Sequence, residues 1–224
     1  NILQLIEDIN KNPDVEYAEP NYRYSIDDFE VGDIIYDDPG IDNEEESENN
    51  STANISVDDP LYSSQSNITS TNIDDVWDQY TTGDGSQVVA ILDTGGDYTH
   101  PDLEANTWIN TAELNGVEDY DDDGNGYVDD IRGWDFINLD NAPLDDNMHG
   151  THVAGIVGAV GNNGIGIAGA AWNVKLMHIK VFQSTGVGNS TTIAEGVEYA
   201  YMNGATILNM SFGSYAESST LKLA

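Results

Sequence analysis

The sequence contains no cysteine and only 6 basic residues. Without cysteine there is no disulfide framework, no thiol nucleophile and no thiolate metal site. The basic residues stand against 41 acidic ones, which gives a formal net charge of −35 at pH 7. Nucleic acids and anionic membranes are therefore poor partners, because clustered basic side chains bind both. Two roles could account for the acidity: solubility where counter-ions screen the charge, or calcium binding by some of the carboxylates.

Long apolar runs are also missing. No segment approaches the roughly 18 apolar residues that a membrane-spanning helix needs. Residues 1–13 lack the basic flank and the continuous apolar stretch of a signal peptide. The chain starts with Asn1 rather than Met, and we expect that the protein continues beyond both ends of this sequence. An apolar content of 39% is sufficient for the core of one domain of moderate size with a short appendage.

Composition divides the chain into three segments. In residues 1–26, apolar residues at helical spacing predict a helix that ends near Pro13, followed by a short extended segment. Residues 27–58 are strongly acidic, contain no basic residue and cannot bury a core, so we predict a solvated linker. Residues 59–224 have the pattern of a globular domain. The helix-forming apolar residues of the first segment are Ile2, Leu5, Ile6 and Ile9.

Strands and helices alternate in the globular segment. Residues 87–93 form a continuous apolar run, typical of a buried parallel strand, and residues 174–181 and 206–212 predict two more strands. The last helix is predicted to begin with a capping box, Thr192 with Glu195, and to end at Asn203–Gly204. This alternation predicts an α/β fold with a central parallel sheet and helices on both faces. The apolar stripes of two earlier helices are Ile73, Val76, Trp77 and Tyr80, and Val153, Ile156, Val157 and Val160.

Two residues, Asp93 and His149, carry the main indication of chemistry. Asp93 ends the first predicted strand, at the carboxyl edge where parallel sheets hold ligands and catalytic groups. His149 opens a helix whose dipole disfavours the imidazolium and so keeps the ring neutral, as a general base requires. A carboxylate that holds an imidazole at this edge could therefore serve acid–base catalysis.

The same two residues also allow simpler or different roles. Asp93 could merely cap the turn that follows its strand. His149 and His152, with nearby aspartates, could bind a metal in a hydrolase. The helix has neither a histidine at i+4 nor the glutamate of an HExxH motif, however, so zinc is disfavoured.

Three passages resemble signatures of the subtilisin-like serine peptidases, the subtilases: DTGGDYTHPDL from Asp93, HGTHVAG from His149 and ILNMSFG from Ile207. Their order and spacing also agree with that family over about residues 59–224, the first half of a catalytic domain. The resemblance implies that Asp93 orients the histidine and that His149 is the general base. It also implies that the nucleophilic serine and the oxyanion-hole asparagine lie beyond Ala224.

The resemblance further implies which residues bind an extended peptide substrate. Two glycine-flanked strand edges should pair with the peptide backbone by β-augmentation. The chain departs from the family pattern at two places. Gly96 stands where a branched apolar residue usually follows D-T-G, which could loosen the turn behind Asp93, and Met148 stands where a small or polar residue commonly precedes the histidine. The expected substrate walls are Gly186, Val187 and Gly188, and Ser211, Phe212 and Gly213.

The first segment resembles the end of an inhibitory subtilase propeptide. A predicted helix followed by DVEYAEPNYRY matches the family-like pattern V-x-Y-x-E-P-N from Val15 to Asn21. Such propeptides assist folding and occupy the cleft until they are cleaved. The resemblance therefore implies that this segment is an intramolecular inhibitor, and we expect processing in the acidic linker, close to Asp58–Asp59.

The acidic tract DYDDDGNGYVDD, residues 119–130, has oxygen ligands at alternate positions around glycines, like an EF-type calcium loop. Its carboxylates would repel one another without a cation, which favours calcium over a bare loop. One register places Gly126 at the sharp turn, and an alternative register starts at Asp119. The ligands of the first register are Asp121, Asp123, Asn125, the carbonyl of Tyr127, and Asp129. The resemblance implies a second calcium, held by Asp59, Asp102, the side chain of Asn163 and the carbonyls of Ile165 and Ile167 in the loop 161–167.

Together the patterns and the resemblance predict a serine endopeptidase that hydrolyses peptides or proteins through an acyl-enzyme. We expect structural Ca²⁺, an inhibitory propeptide, and a secreted or cell-surface location. The 224 residues hold the base and its orienting residue but no assignable nucleophile, so we expect this chain to be inactive alone. The rival interpretation is a calcium-dependent binding or surface module that keeps the fold and has lost catalysis.

Overall fold

A computed structural model describes residues 6, 10, 11, 15, 17–26, 55–214 and 218–223. Most of the predicted N-terminal helix and most of the acidic linker lie outside these residues. The α-helices of the described part are α1 (Ser66–Ser70), α2 (Ile73–Gln79), α3 (Thr111–Leu114), α4 (His149–Gly158), α5 (Ser190–Met202) and α6 (Ser219–Leu223). Its strands are β1 (Arg23–Ser25), β2 (Val88–Asp93), β3 (Gly133–Asp135), β4 (Lys175–Lys180), β5 (Val187–Asn189) and β6 (Ile207–Asn209). Short 3₁₀ helices cover Tyr62–Ser64 and Glu104–Asn106.

The central sheet contains four parallel strands in the order β3-β4-β2-β6. Its middle strands are almost fully buried, as the continuous apolar sequence of β2 predicts for that strand. β4 is buried beyond Lys175 although it contains His178 and Lys180. The α/β fold with a central parallel sheet is therefore confirmed. The register places Asp93 beside Lys180 and Ile91 beside His178, so the ends of β2 and β4 meet at one edge.

Alternate residues of the central strands face two different helical layers. One layer is centred on α5 and the other on α4, which confirms helices on both faces of the sheet. The α5 layer contains Ala90, Leu92, Met177, Ile179, Ile193 and Tyr199. The α4 layer contains Val89, Ile91, Leu176, Val153 and Ala154.

The apolar stripes predicted for α2 and α4 are only partly buried. In α2, Trp77 is buried, whereas Val76 is 44% exposed and Tyr80, just past the helix, is 79% exposed. In α4, Ile156 is 38% exposed, and small residues form much of the buried face. The reason is close packing: a Cβ on Gly158 would lie 2.5 Å from a methyl group of Val174.

The capping box predicted for α5 is wrong. The helix begins at Ser190, and the side chain of Asn189 accepts hydrogen bonds from the amides of Thr191 and Thr192. The Thr192 hydroxyl instead donates to the carbonyl of Asn189 at 3.1 Å. The predicted helix end is confirmed, since Asn203 is the C-cap and Gly204 follows with a φ of +79°.

The last strand is shorter than predicted. The sequence favours a strand over residues 206–212, but β6 covers Ile207–Asn209 alone. Beyond it, Gly213 pairs with Ser25 of the N-terminal segment instead of extending the central sheet. Among the described residues, no helix combines the length and the apolar character needed to cross a membrane.

Candidate active site

Asp93 lies at the carboxyl end of β2 and is completely buried. The amide of Thr94 donates a hydrogen bond to its Oδ1 at 2.7 Å. Burial raises the pKa of the Asp93 carboxyl, and the hydrogen bonds from His149 and Thr94 oppose that shift. A buried carboxylate of this kind requires hydrogen-bond donors around it.

His149 is the first residue of α4, and its ring faces Asp93. Nδ1 lies 2.8 Å from Oδ1 and 2.9 Å from Oδ2 of the carboxylate. A neutral ring in this position carries its proton on Nδ1, which leaves Nε2 as the acceptor nitrogen. The side chain is 28% exposed, so part of the ring reaches solvent. The two predicted residues thus meet as an orienting carboxylate and a base do, while their catalytic roles stay a prediction.

The contact requires the turn after β2 and the start of α4 to lie very close together. Gly150 permits this approach, because a Cβ there would lie 2.0 Å from the carbonyl oxygen of Gly95. Met148, the residue before the histidine, is the N-cap of α4 and has a φ of +93°. That left-handed conformation is costly for a residue with a side chain, and the Met148 side chain makes no capping hydrogen bond.

A buried cation lies beside the same turn. The Lys180 side chain at the end of β4 is 1% exposed. Its Nζ donates to the carbonyl oxygen of Thr94 at 2.6 Å and to Oδ1 of Asp146 at 2.6 Å. Lys180 therefore connects the turn after Asp93 to the loop that leads into His149.

Gly96 lies against the ring of His178, which projects from β4. A Cβ on Gly96 would lie 2.0 Å from Nδ1 of His178, so the imidazole occupies the space in which a branched side chain would lie. His178 is completely buried, and among the residues that the structure describes neither of its ring nitrogens has a hydrogen-bond partner. Burial lowers its pKa to about 4, against the opposing charges of Asp145 and Asp97. The turn is tightly packed, and the expectation that Gly96 loosens it is wrong.

The two predicted substrate walls lie on either side of the N-terminal segment. Strand β1 pairs antiparallel with β5, with Tyr24 opposite Gly188 and Ser25 opposite Val187. On the other side, Ser25 and Gly213 exchange two backbone hydrogen bonds of 3.2 Å. The six wall residues comprise Gly186, Val187 and Gly188 along one edge, and Ser211, Phe212 and Gly213 along the other.

The side chain of Tyr24 fills an apolar pocket between these walls and is 7% exposed. Its ring packs edge-on against Phe212, with 6.1 Å between centroids, and Phe212 packs in turn on Phe182. The amide of Ile26 donates to the carbonyl of Gly186 at 3.2 Å. The segment therefore lies between the two edges and is held there by main-chain pairing and one buried aromatic side chain.

Two polar side chains upstream bind the starts of two helices. The Glu19 carboxylate accepts hydrogen bonds from the amides of Ser219 and Thr220 and from the Ser218 hydroxyl, at 2.7–2.8 Å. Burial acts to raise the pKa of Glu19, but these bonds outweigh it and lower the pKa to about 2. At α5, Oδ1 of Asn21 accepts from the Ser190 hydroxyl and the amide of Thr191.

The acidic loop brings some predicted calcium ligands together. Single carboxylate oxygens of Glu113, Asp121 and Asp123 lie within 4.8 Å of one another. Glu113 is not among the predicted ligands. It belongs to α3, is 3% exposed, and accepts hydrogen bonds from the amides of Asp122, Asp123 and Asp129. It thereby holds the loop around its own carboxylate.

Two other predicted ligands of this loop, Asn125 and Asp129, make hydrogen bonds within the chain. Oδ1 of Asn125 accepts from the Tyr127 amide at 2.8 Å, and its Nδ2 donates to Asp130 at 2.9 Å. Asp129 accepts from the amide of Asp119. Asp130 is buried and also accepts from the hydroxyl of Tyr199 at 2.6 Å. Burial raises the pKa of Asp130 to about 6.

The second predicted calcium set surrounds the loop 161–167. Asp59 accepts from the amides of Asn162 and Asn163, at 2.7 and 3.2 Å. Asp102 accepts from Nδ2 of Asn163 at 2.9 Å and from the amide of Ile167 at 3.0 Å. Oδ1 of Asn163 accepts from the amide of Ile165 at 2.7 Å. Both aspartates are buried and contact the same loop.

A sequence model described as the subtilase family matches residues 84–222. The chain belongs to this family. The thermophilic serine proteinase of Bacillus sp. (strain AK1) is 32% identical over 225 residues, which cover 100% of this chain and 43% of that protein. Halolysin of Haloferax mediterranei is 35% identical over 209 residues, 93% of this chain and 31% of that protein. Subtilisin-like protease 1 of Plasmodium falciparum (isolate 3D7) is 43% identical over 124 residues, 55% of this chain and 18% of that protein.

The subtilase chain thus spans less than half the length of these relatives. Membership of the family supports proteolysis at the family level. The metal-hydrolase alternative gains no support. In the part of the chain that the structure describes, one group of three side chains could hold a metal ion: Glu113, Asp121 and Asp123. His149 and His152 do not belong to it.

Several residues that shape the site are not evident from the sequence. Lys180 and His178 lie inside a predicted strand. The hydrophobicity pattern of a strand does not indicate which residues their side chains contact. Glu113 precedes the acidic tract, and its role depends on how the loop folds back. Asp145 precedes His149 by four residues, and this proximity is the one sequence feature that could have indicated its place at the site.

Proposed function

We propose that this subtilase chain is part of a serine endopeptidase in which Asp93 orients His149 and His149 is the general base. The observation that carries the proposal is the contact of Nδ1 with both carboxylate oxygens, at 2.8 and 2.9 Å. In a neutral ring held in this way, Nε2 takes the proton of a serine hydroxyl as its oxygen attacks a peptide carbonyl, and later donates a proton to the leaving amine. Asp93 stabilises the imidazolium formed in between.

The mechanism needs a serine that residues 1–224 do not supply in any family-like segment. The proposal therefore places the nucleophile in sequence that follows Ala224. With the base and its orienting carboxylate alone, the 224-residue chain is expected to be inactive.

Labelling with a fluorophosphonate probe tests this function. The coding sequence is expressed as far as it continues past Ala224, and the probe should modify one serine downstream of that residue. His149→Ala should abolish the modification, and the 224-residue chain should not react. Labelling at a defined serine within residues 1–224, or no labelling of the longer protein, would overturn the proposal. The second result, with calcium-dependent binding retained, would support an inactive binding module.

Residues 17–26 serve, in the same proposal, as the tail of an intramolecular inhibitor. Support comes from β1, which pairs with the two edges that an extended substrate would use, and from the buried ring of Tyr24. The segment and a substrate therefore exclude each other. Residues 1–26 are the propeptide end and residues 27–58 the linker in which processing is expected. Amino-terminal sequencing of the mature protein should find a start beyond Ile26, and a start upstream of Tyr24 would contradict the assignment.

Calcium is proposed as a structural ion at two places. Glu113, Asp121 and Asp123 offer converging carboxylate oxygens, the donor type that Ca²⁺ prefers. Asp59, Asp102 and Asn163 offer oxygens around the loop 161–167. When bound, the ion neutralises carboxylates that otherwise repel one another. Millimolar calcium outside cells suits sites of this kind, which agrees with the secreted or cell-surface location we propose.

A further inference from the structure

One carboxylate joins the segment that carries Asp93 to the segment that carries His149. Asp145 is half-buried and accepts five hydrogen bonds. Its Oδ1 accepts from the Thr94 hydroxyl at 2.8 Å and from the amides of Asn147 and Met148 at 2.9 and 3.0 Å. Its Oδ2 accepts from the Thr151 amide at 2.8 Å and from the Thr151 hydroxyl at 2.6 Å.

These bonds supply the helix cap that Met148 cannot. The first amides of a helix have no partner within it and need an outside acceptor. In α4, the amide of Gly150 donates to the Thr94 hydroxyl at 3.0 Å, and the amide of Thr151 donates to Asp145. The Thr94 hydroxyl in turn donates to Asp145. Thr94 and Asp145 therefore cap α4 together, and Thr94 is the residue that directly follows Asp93.

The start of α4 and the ring of His149 are linked by position. His149 is the first residue of α4, so a shift of the helix start relative to β2 moves Nδ1 away from the Asp93 carboxylate. Burial acts to raise the pKa of Asp145, but the hydrogen bonds from Thr151, Asn147 and Met148 outweigh it and lower the pKa. The group is thus a carboxylate that accepts through both oxygens.

We propose that Asp145 is a positioning residue, which acts through Thr94 and the first turn of α4 to keep the Nδ1–H of His149 on Asp93. This inference rests on the proposed function for its catalytic meaning. Replacing Asp145 with asparagine turns one of the two acceptor oxygens into an NH₂ group that faces donors. The NH₂ group cannot accept hydrogen bonds, so the bonds made by either Oδ1 or Oδ2 must break, although the side chain keeps its size.

The test is the imidazole spectrum of the 224-residue chain, which needs no substrate. With ¹⁵N-labelled histidine, long-range ¹H–¹⁵N correlations report the tautomer of each of the 4 histidines, and His149→Gln identifies the signals of His149. The unsubstituted chain should show a protected Nδ1–H at His149. Asp145→Asn and Thr94→Val should lose it, through exchange of the proton or a switch to the Nε2–H tautomer. Thr94→Ser, which retains the hydroxyl, should keep it.

Asp135→Asn is the matched control. Asp135 is more buried than Asp145, at 1% exposed, and it also accepts through both carboxylate oxygens. Its donors are the amides of Ile137 and Asn138 and the Asn138 side chain, and these bonds do not involve Thr94 or α4. It should leave the His149 signal unchanged. An unchanged Nδ1–H in Asp145→Asn, or equal effects of Thr94→Val and Thr94→Ser, would overturn the proposal. If Asp145→Asn fails to fold, the two Thr94 variants decide it, because only Thr94→Ser retains the hydroxyl.

In the longer, active protein the same substitution has a kinetic signature. Asp145→Asn should lower kcat by about 10²-fold with little change in KM, since a small misplacement of the base slows the chemical step. If that protein proves inactive without any substitution, the proposed function fails while the spectroscopic result still stands.

Discussion

At the residue scale, the space behind the turn of Asp93 is filled by one imidazole. His178 is completely buried and lies against Gly96, and in the described part of the chain both of its ring nitrogens are without a hydrogen-bond partner. A buried polar group without a hydrogen bond costs about 1–3 kcal/mol, so this packing carries a penalty. The penalty grows when the ring gains a proton, because a buried charge is far less stable than a buried neutral ring.

Acid should therefore destabilise the chain through His178. Burial lowers its folded pKa to about 4, below the usual value near 6.5 in the unfolded chain. Between these values the unfolded state binds the extra proton, so the free energy of unfolding falls as the pH falls from about 6.5 to about 4. The loss attributable to this group is about 3 kcal/mol.

Urea denaturation at pH 7 and pH 4.5 checks this expectation. His178→Leu, which has similar volume and cannot be protonated, should lose less stability over this interval than the unsubstituted chain. Carboxylates that titrate in the same range affect both proteins equally, so the difference between the two isolates His178. Equal losses in both proteins would contradict the assignment.

At the scale of secondary-structure elements, the strands and helix bodies follow from local sequence, and several helix starts do not. β2 is recognisable as a continuous apolar run, and α4 from the residues that follow His149. β4 is predicted as a strand although it contains Lys175, His178 and Lys180. The caps are harder to predict. At α5, Asn189 caps the helix instead of the Thr192–Glu195 pair. At α4 and α6, the acceptors Thr94 and Glu19 belong to segments that are distant along the chain. Sequence spacing could not predict those contacts.

The cap that Glu19 places on α6 should stabilise the docked N-terminal segment. Glu19→Ala removes the acceptor for the amides of Ser219 and Thr220, and loss of a cap typically costs about 1 kcal/mol. Thermal denaturation at pH 7 should show a lower Tm for Glu19→Ala than for the control Glu118→Ala, whose side chain is exposed. Because the folded pKa of Glu19 is lowered to about 2, this difference should persist at pH 5 and disappear as the pH falls towards 2. A difference that does not depend on pH would exclude the carboxylate as its cause.

At the scale of the whole molecule, a net charge of −35 opposes compaction. The fold concentrates part of that charge at Glu113, Asp121 and Asp123, and around the loop 161–167. The clustered aspartates and glycines of residues 119–130 predict the first place, and the resemblance to subtilases implies the second. Glu113 is recognisable only once the loop has folded back on α3. Specific calcium binding and general screening by salt make different predictions for stability.

Calcium should stabilise the chain beyond the effect of ionic strength. At 100 times the dissociation constant, one site contributes about 2.7 kcal/mol by mass action. Tm is measured in millimolar calcium, and in magnesium and sodium at equal ionic strength. Calcium should raise it most, because magnesium requires a tighter octahedral site. Asp121→Ala combined with Asp123→Ala should lose part of the gain, the remainder belonging to the site near Asp102. Equal gains in all three salts, or no effect of the double substitution, would rule out the loop site.

The central claim, that Asp93 and His149 form the working base of a serine endopeptidase, is tested most directly by kcat. The protein expressed past Ala224 is compared with its Asp93→Asn and His149→Ala variants on one peptide substrate, with folding checked by circular dichroism. Both variants should lose activity by orders of magnitude, as the corresponding losses in subtilisin of about 10⁴- to 10⁶-fold lead us to expect. Peptidase activity that survives either substitution in a folded protein would contradict the account.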